Sequence, residues 1–255
     1  MSAEAGPAPG PDAGAAPARA GEAAGPVSVI LVVHDRLELT RGCVESLAGS
    51  TVPFELCVID NGSRDGTDAW LRTLAWPGGL RHARNAENVG LIRALNQGAA
   101  LARGTWLCFL HNDTLARDAG WLARLRDAVG DGRDVGLAGL YGARRVRRDG
   151  RYAGRTIVST LEGDRPPAAP VVEVAAVDGV CLFLRRDLLE AVGGFDEGYG
   201  FFHGYDRDLS FAVRARGRRC VIVRAPFVHL GGGTRTQPGA PRAAAADLAE
   251  RRAAL

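Results

Sequence analysis

The chain has 255 residues, 46% of them hydrophobic and 24% charged, which is enough for one large folded domain or two small ones. This composition excludes a wholly disordered, collagenous or coiled-coil protein. Its 32 basic and 29 acidic side chains give a net charge of only +3, and aromatic residues make up 6%. We therefore expect no nucleic acid among its partners, because dedicated binders are more basic or richer in stacking aromatics.

The first 26 residues are dominated by Ala, Gly and Pro. Such a segment buries too little apolar surface to offset its chain entropy, so we predict a disordered tail over residues 1–26. It lacks the basic start and compact apolar core of a secretory signal. No apolar run reaches about 18 residues, so we expect no membrane span.

The cysteines are odd in number, widely spaced and mostly set in apolar runs. They are Cys43, Cys57, Cys108, Cys181 and Cys220. This pattern predicts buried free thiols in a reducing cytoplasm and does not match a disulfide framework or a CxxC metal site.

The first half of the chain alternates short β-branched runs with segments of helical spacing. Strands are predicted at VSVILVV (27–33), ELCVID (55–60) and WLCFL (106–110), and helices at 37–48, from Thr67 as an N-cap, at 91–101 and at 121–129. Continuous apolar strands are typical of a parallel sheet that is covered on both faces. The order predicts a doubly wound α/β fold with its site at the carboxyl ends of the strands.

The second half is less regular. Residues 135–174 are interrupted by Gly, Pro and the arginines Arg144, Arg145, Arg147, Arg148 and Arg151. We interpret this segment as irregular strands with a solvated hairpin, the alternative being a contact with anionic lipid or a phosphorylated acceptor. Further elements are predicted as a strand (179–186), a helix (187–192), a helix closed by Gly217 (208–217), a strand (220–224) and a terminal helix (241–255). We expect one domain over residues 27–235, followed by a tail over 236–255.

Polar residues gather where the predicted strands end. They are His34 and Asp35 after the first strand, Asp60 after the second, and His111, Asn112 and Asp113 after the third. A parallel sheet would bring these ends into one crevice. Carboxylates there would repel a diphosphate unless a hard divalent cation at Asp113 reversed the sign of the interaction. No Walker loop, GxGxxG fingerprint or HExxH motif is present.

Seven segments together carry a family resemblance. In chain order they are SVILVVHDR, VIDNGSRDGT, NVGLIRALNQGAALARG, FLHNDT, GGFDEGY, YDRDL and VHLGGGT. The series, from about Val27 to Thr234, resembles family 2 glycosyltransferases of the GT-A fold, and within them the rhamnosyltransferase-like subgroup. The resemblance implies a single α/β domain with a mostly parallel central sheet and a smaller β region on the acceptor side. It also implies an inverting hexosyl or deoxyhexosyl transferase that uses Mn²⁺ or Mg²⁺.

The resemblance also implies a donor site. It gives contact with the nucleobase and ribose to His34, Asp35 and Asp60, and places Asn88, Gly90 and Arg93 near the nucleotide. FLHNDT stands where the family has its DxD motif, so Asp113 would bind the metal and the diphosphate, with Asn112 in the same loop. His111 replaces the first acid of that motif, and an imidazole can still ligate Mn²⁺. His229 matches a position that supplies a further metal ligand.

On the acceptor side, YDRDL corresponds to the family's EDxDL segment. Asp206 matches the general base, Tyr205 stands where the family has Glu, and Asp208 is interpreted as a structural acid. The aromatics of GGFDEGYGFFHGY could stack on a sugar. The residues expected to border the acceptor are Asp178, Gly179, Phe195 and Asp196.

The resulting hypothesis is a metal-assisted glycosyltransferase in which Asp60, Asp113 and Asp206 share one cleft. The expected donor is a UDP, dTDP or GDP sugar, and the acceptor a glycan, a lipid-linked glycan or a small molecule. The expected location is the cytoplasm, including the inner face of the membrane. Two alternatives stay open: a sugar-nucleotide-binding protein without transfer activity, and a nucleotidyltransferase, which would release pyrophosphate.

Overall fold

The structure is a computed structural model that describes residues 25–231. The tail predicted over residues 1–26 therefore lies almost entirely outside the described residues. The terminal helix predicted over 241–255 and the tail over 236–255 lie wholly outside them.

The described residues contain thirteen strands, most of them short. They are β1 (Val27–Val33), β2 (Phe54–Asp60), β3 (Leu80–Arg84), β4 (Trp106–His111), β5 (Thr114–Ala116), β6 (Val135–Gly139), β7 (Tyr141–Ala143), β8 (Ile157–Ser159), β9 (Val171–Val174), β10 (Ala176–Val177), β11 (Cys181–Arg185), β12 (Arg219–Val223) and β13 (Phe227–His229).

Six α-helices lie between these strands in the described part of the chain. They are α1 (Leu37–Leu47), α2 (Thr67–Thr73), α3 (Leu91–Leu101), α4 (Trp121–Val129), α5 (Arg186–Val192) and α6 (Tyr205–Ala215). The prediction that Thr67 caps α2 is wrong by one residue: Gly66 is the N-cap, at φ 92°. The Asp65 carboxylate accepts hydrogen bonds from the backbone N–H and the hydroxyl of Thr67.

The central sheet has eight strands in the order β3-β2-β1-β4-β11-β6-β12-β9. The first four strands are mutually parallel, and β11 runs antiparallel to β4. This mostly parallel arrangement confirms the α/β prediction. The edge strand β3 was not predicted, because LRHAR lacks an apolar run and is half-buried or exposed.

The helices cover both faces of this sheet, as the doubly wound prediction requires. One apolar cluster packs side chains of α1, α2 and α4 against the sheet, and a second packs those of α3, α5 and α6 against the other face. At the centre, Trp106 of β4 stacks on Phe183 of β11 with ring centroids 5.4 Å apart. Burying one such side chain stabilises the fold by about 1.5–3 kcal/mol.

Two small sheets lie beside the main one. The first has the order β10-β7-β8, and the second pairs β5 with β13. Between β7 and β8 the chain forms a hairpin in which Val146 bridges Tyr152 in antiparallel fashion. This confirms the predicted hairpin and small β region.

The prediction of buried free thiols is also confirmed. All five cysteines fall within residues 25–231, where each is buried and outside any disulfide.

Candidate functional site

A cavity of about 480 Å³ opens at the carboxyl ends of β1, β2 and β4. His34, Asn61 and His111, which end or follow these three strands, all line it. The prediction that the strand ends meet in one crevice is therefore confirmed.

Asn61 organises one end of the cavity. Its Nδ2 donates to Asn88 Oδ1 at 2.8 Å, and its Oδ1 accepts from the backbone N–H of Val89. His34 Nδ1 lies 2.9 Å from the Asn61 carbonyl oxygen. These contacts join the loops after β1 and β2 to the loop before α3. They hold His34, Asn61 and Asn88 in position along the cavity wall.

Two acids that were expected at the donor have structural contacts instead of lining the cavity. Asp60 is fully buried; its Oδ1 accepts from the backbone of Ser63, and its Oδ2 lies 3.4 Å from Arg84 Nη1. Asp35 accepts a hydrogen bond from the backbone of Arg64. The expectation of three acids in one cleft is thus met by Asp113 and Asp206 alone, with Asp60 beneath the loop that presents Asn61.

Gly90 and Arg93 also lie outside the cavity lining. Gly90 is the N-cap of α3 at φ 93°, and a Cβ there would come within 3.0 Å of the Phe201 ring. The Arg93 guanidinium pairs with Glu197 at 3.3 Å. Both residues therefore hold the loop before α6 against the start of α3, where Leu91 N–H donates to the Phe201 carbonyl oxygen.

Three potential metal ligands converge on the opposite wall. His111, Asp113 and His229 each offer one ligand atom, and these atoms all lie within 4.8 Å of one another. His229 Nε2 is 3.2 Å and His111 Nδ1 is 3.7 Å from Asp113 Oδ1. Asn112, in the same loop, lines the cavity and donates to the Thr40 hydroxyl.

The small β5–β13 sheet brings these distant residues together. His111 ends β4, and the chain turns through Asn112 and Asp113 directly into β5. In the antiparallel pairing with β13, His229 stands opposite Thr114. The backbone N–H of Leu230 donates to the Asp113 carbonyl oxygen at 2.9 Å. A residue 116 positions further along the chain is thereby fixed beside Asp113.

The electrostatics of Asp113 suit a cation. The residue is only 5% exposed, and burial by itself would raise its pKa. The hydrogen bond with His229 and the charges of His111 and His229 outweigh burial, so the pKa of Asp113 lies below its usual value. A carboxylate with two imidazoles is a donor set that fits Mn²⁺, and three protein ligands leave room for phosphate oxygens.

Asp206 lines the same cavity from the first turn of α6. Its Oδ1 accepts from the backbone and from Nη1 of Arg207, the latter at 3.1 Å. Its Oδ2 accepts from the backbone N–H of Gly179 at 3.3 Å and from the Tyr152 hydroxyl at 3.5 Å. The Arg207 guanidinium also stacks over the Tyr152 ring, 4.5 Å from its centroid.

These surroundings make Asp206 a stronger base than an ordinary aspartate. Burial and then the negative charge of Asp178 raise the pKa of Asp206, while Arg207 acts against them. A carboxylate with a raised pKa binds a proton more readily, which is the property that a general base needs. Burial and the Asp206 charge raise the pKa of the Tyr152 hydroxyl, so this group stays protonated and donates.

Asp178 and Gly179 line the cavity beside this carboxylate, between β10 and β11. A Cβ at Gly179 would come within 1.9 Å of the Tyr205 hydroxyl oxygen, so any larger residue here would displace the Tyr205 side chain. Tyr205 is itself nearly buried and packs its ring against Phe195. Where the family has an acid, this chain thus has an aromatic ring packed against the glycine loop.

Phe195 and Asp196, the other two residues expected to border the acceptor, do not line the cavity. Phe195 is buried, with its ring centroid 4.9 Å from that of Phe109, and so belongs to the core. Asp196 caps the short 3-10 helix at 197–199 by accepting from Gly198 N–H. The loop that follows contributes Phe202 and His203 to the lining.

Several of these residues were missed by sequence reasoning. Asn61 follows Asp60 directly and could have been found as part of the same strand end. His203 and Arg207 lie within the quoted motifs but were given no role. Tyr152 carries no sequence signal, since only the path of the hairpin brings it to Asp206.

Between residues 25 and 231, no helix combines the length and apolar character needed to cross a membrane. The family model described as Glycosyl transferase family 2 matches residues 28–193 of the chain. This match contains the loop after β4 that includes Asp113, and it ends at the glycine after α5.

Curated relatives give the same indication. A PGL/p-HBAD biosynthesis glycosyltransferase of Mycobacterium tuberculosis (strain H37Rv) is 33% identical over 209 residues, which cover 80% of this chain and 73% of the relative. An O-antigen biosynthesis protein of Myxococcus xanthus is 29% identical over 244 residues, which cover 85% of this chain. The match spans only 18% of the length of that protein.

A solved structure shares the fold. The mannosyltransferase from Pyrobaculum calidifontis, in complex with GDP-Man and Mn²⁺, aligns with a TM-score of 0.61 at 21% identity. The alignment covers 80% of this chain and 56% of that one. The α/β arrangement described above is the GT-A fold of such enzymes.

Proposed function

The chain belongs to glycosyl transferase family 2, and from that premise we propose that it moves a sugar from a nucleoside-diphosphate sugar to an acceptor hydroxyl with inversion at the anomeric carbon. One observation carries the proposal. A single cavity is lined both by Asp113 with its two histidines and by the buried base candidate Asp206. Leaving-group stabilisation and proton removal are the two tasks of glycosyl transfer, and this cavity has residues for each.

The donor would lie with its nucleoside toward His34, Asn61 and Asn88. Asp113, His111 and His229 would hold a divalent ion, Mn²⁺ or Mg²⁺, next to the diphosphate. When bound, the ion supplies positive charge that stabilises the developing charge on the departing nucleoside diphosphate. The pKa of Asp113 lies below its usual value, so its carboxylate is ionised at neutral pH and could ligate a cation.

In the transfer step the acceptor oxygen forms a bond to the anomeric carbon. The bond from that carbon to the diphosphate oxygen breaks, and its electron pair leaves with the nucleoside diphosphate. The acceptor's proton goes to the Asp206 carboxylate. Proton removal by a positioned carboxylate contributes about 10² to 10⁴ in rate. Arg207, Tyr152 and Gly179 hold the carboxylate in place through their hydrogen bonds.

The acceptor would enter beside Asp178, Gly179, Phe202 and His203, which line the cavity near Asp206. We propose a glycan, a lipid-linked glycan or a small hydroxylated molecule as the acceptor, and UDP, dTDP or GDP sugars as donors. The catalytic unit would be residues 27–235. Five buried free thiols support a reducing cytoplasm as its location.

A thermal-shift screen of UDP, GDP and dTDP sugars with and without Mn²⁺ tests donor binding and identifies the nucleobase of the donor. Transfer is then assayed with the stabilising donor, and the anomeric configuration of the product is determined by NMR. Stabilisation that requires Mn²⁺, with release of a nucleoside diphosphate and an inverted product, supports the proposal. Release of pyrophosphate would instead indicate a nucleotidyltransferase. Donor binding without transfer to any acceptor would indicate a sugar-nucleotide-binding protein.

A further inference from the structure

The hairpin between β7 and β8 carries a high density of positive charge. Residues 144–155, here called the arginine hairpin, contain six exposed arginines and one acid, Asp149. The arginines are Arg144, Arg145, Arg147, Arg148, Arg151 and Arg155. The segment therefore has a net charge of +5, whereas the whole chain has +3, so the rest of the chain is net negative.

These arginines form no ion pair with the described part of the chain. Within residues 25–231, none of the six guanidinium groups has a carboxylate oxygen within 4.0 Å. Arginines elsewhere differ: Arg117 pairs with Glu162, and Arg219 pairs with Asp134 and Glu173. Six like charges on one hairpin repel one another, so an external anionic partner would stabilise them.

The hairpin has two distinct faces. Val146 and Tyr152 stand opposite each other and therefore lie on the same face, the one from which the Tyr152 hydroxyl reaches Asp206. The Arg147 N–H donates to the Arg151 carbonyl oxygen, which sets the register at the turn. Because side chains alternate along a strand, the opposite face is that of Arg145, Arg147 and Arg151.

We propose that the arginine hairpin docks the protein onto a membrane surface that contains anionic phospholipids. Guanidinium groups bind phosphate oxygens in bidentate fashion, and a row of them on the face away from the cavity fits a surface with many phosphates better than one small ligand. Ile157, two residues after the hairpin and paired with Ala143 just before it, is an apolar residue that is 40% exposed. Since Tyr152 joins the hairpin to Asp206, docking would hold the acceptor end of the cavity close to the membrane, with the hairpin between the two; this orientation rests on the proposed function.

Vesicle co-sedimentation of the full chain tests the proposal. The vesicles contain phosphatidylcholine alone or phosphatidylcholine mixed with phosphatidylglycerol. The test variant replaces Arg145, Arg147, Arg148 and Arg151 with Gln. The matched control makes the same charge change at Arg103, Arg126, Arg165 and Arg224, which lie outside the hairpin and which, within residues 25–231, also lack ion pairs.

The wild type and the control should bind the anionic vesicles and not the neutral ones. The hairpin variant should lose at least about tenfold in binding, because each arginine near an anionic surface contributes to the attraction. Equal loss in the two variants, no loss in the hairpin variant, or equal binding to both vesicle types would overturn the proposal.

Two further measurements keep the result interpretable. An Arg→Lys variant at the same four hairpin positions preserves the charge, so it should retain vesicle binding; its failure to do so while folded would also count against the proposal. Mn²⁺-dependent nucleotide binding, followed by thermal shift, reports on the proposed function separately. A wild type that binds anionic vesicles but no nucleotide would leave the docking site standing and remove the glycosyltransferase assignment.

Discussion

Arg207 forms an ion pair with its chain neighbour Asp206, with Nη1 3.1 Å from Oδ1. A cation therefore touches the carboxylate that we propose as the general base, and the charge of a second carboxylate, Asp178 in the loop before β11, acts on the same group. The two neighbours act in opposite directions on the pKa of Asp206. Arg207 favours the ionised form, whereas Asp178 favours the protonated form.

The pH dependence of transfer should follow these two neighbours. In the proposed mechanism transfer requires ionised Asp206, so activity should fall as the pH drops through the raised pKa of this group. Replacing Arg207 with Gln removes the cation and should move the acid limb of the kcat profile to higher pH. Asp178→Asn removes the repelling charge but keeps an acceptor for Val180 N–H, so it should move the limb to lower pH. Shifts in the same direction for both variants would contradict this account.

The base assignment is tested by Asp206→Asn. This variant should lower kcat by about 10² to 10⁴, because an amide cannot take the acceptor proton. The Kd for the donor, measured by calorimetry with Mn²⁺, should stay close to that of the wild type. Asp208→Asn is the matched control, since Asp208 lies on the same helix and outside the cavity lining. Comparable activity in the two variants would remove Asp206 from the mechanism.

The metal-ligand cluster makes a separate prediction. Asp113→Ala and His229→Gln should each weaken the Mn²⁺-dependent part of nucleotide binding by more than about tenfold, since even indirect partners of metal ligands contribute that much. His82→Gln is the control, because His82 lies on β3 and outside the cavity lining. If nucleotide affinity responds to Mn²⁺ equally in all three variants, the ion is held elsewhere.

The close approach of Gly179 to Tyr205 predicts that a larger residue at position 179 lowers the stability of the protein. Gly179→Ala places a methyl group against the Tyr205 ring and hydroxyl, so it should lower the free energy of unfolding by about 1–3 kcal/mol and reduce transfer. Gly154→Ala meets no atom within 4 Å and should change the stability by less than about 0.5 kcal/mol. Urea denaturation of both variants gives the comparison, and equal stability would show that the loop yields freely.

The buried thiols should be unreactive in the native protein. Burial raises the pKa values of Cys43, Cys57 and Cys220 to about 12, so the reactive thiolate is scarce at neutral pH. Mass spectrometry after iodoacetamide treatment should find no modified cysteine in the folded protein and five in denaturant. Rapid modification of the folded protein would show that the core opens.

The parallel half of the fold could be predicted from sequence because its signal is local. WLCFL is apolar throughout, and its burial on both faces of the sheet follows from that. LRHAR in β3 gives no such signal, because an edge strand with half-buried and exposed side chains needs no apolar run. Asp113, Asp206 and His229 were predicted from motif order, and the structure brings Asp113 and His229 together.

The predicted site residues that do not line the cavity share one physical feature. Phe195 and Asp60 lie in segments that border the cavity, but sequence does not show whether a side chain points into the cavity or into the core. Phe195 packs on Phe109, and Asp60 accepts from the Ser63 backbone. Tyr152 reaches Asp206 across 54 positions of sequence only because the hairpin folds back over α6.

The pairing of β5 with β13 also affects how tightly an ion could be held. Each strand has only three residues, so few backbone hydrogen bonds hold the pair together. His229 lies on one strand and Asp113 directly precedes the other. The free energy of binding an ion would therefore include the free energy of pairing the two strands. Ion binding would then order the strand pair. Amide hydrogen exchange at Thr114–Ala116 would become slower when Mn²⁺ is added and faster after the nucleoside diphosphate and the ion dissociate.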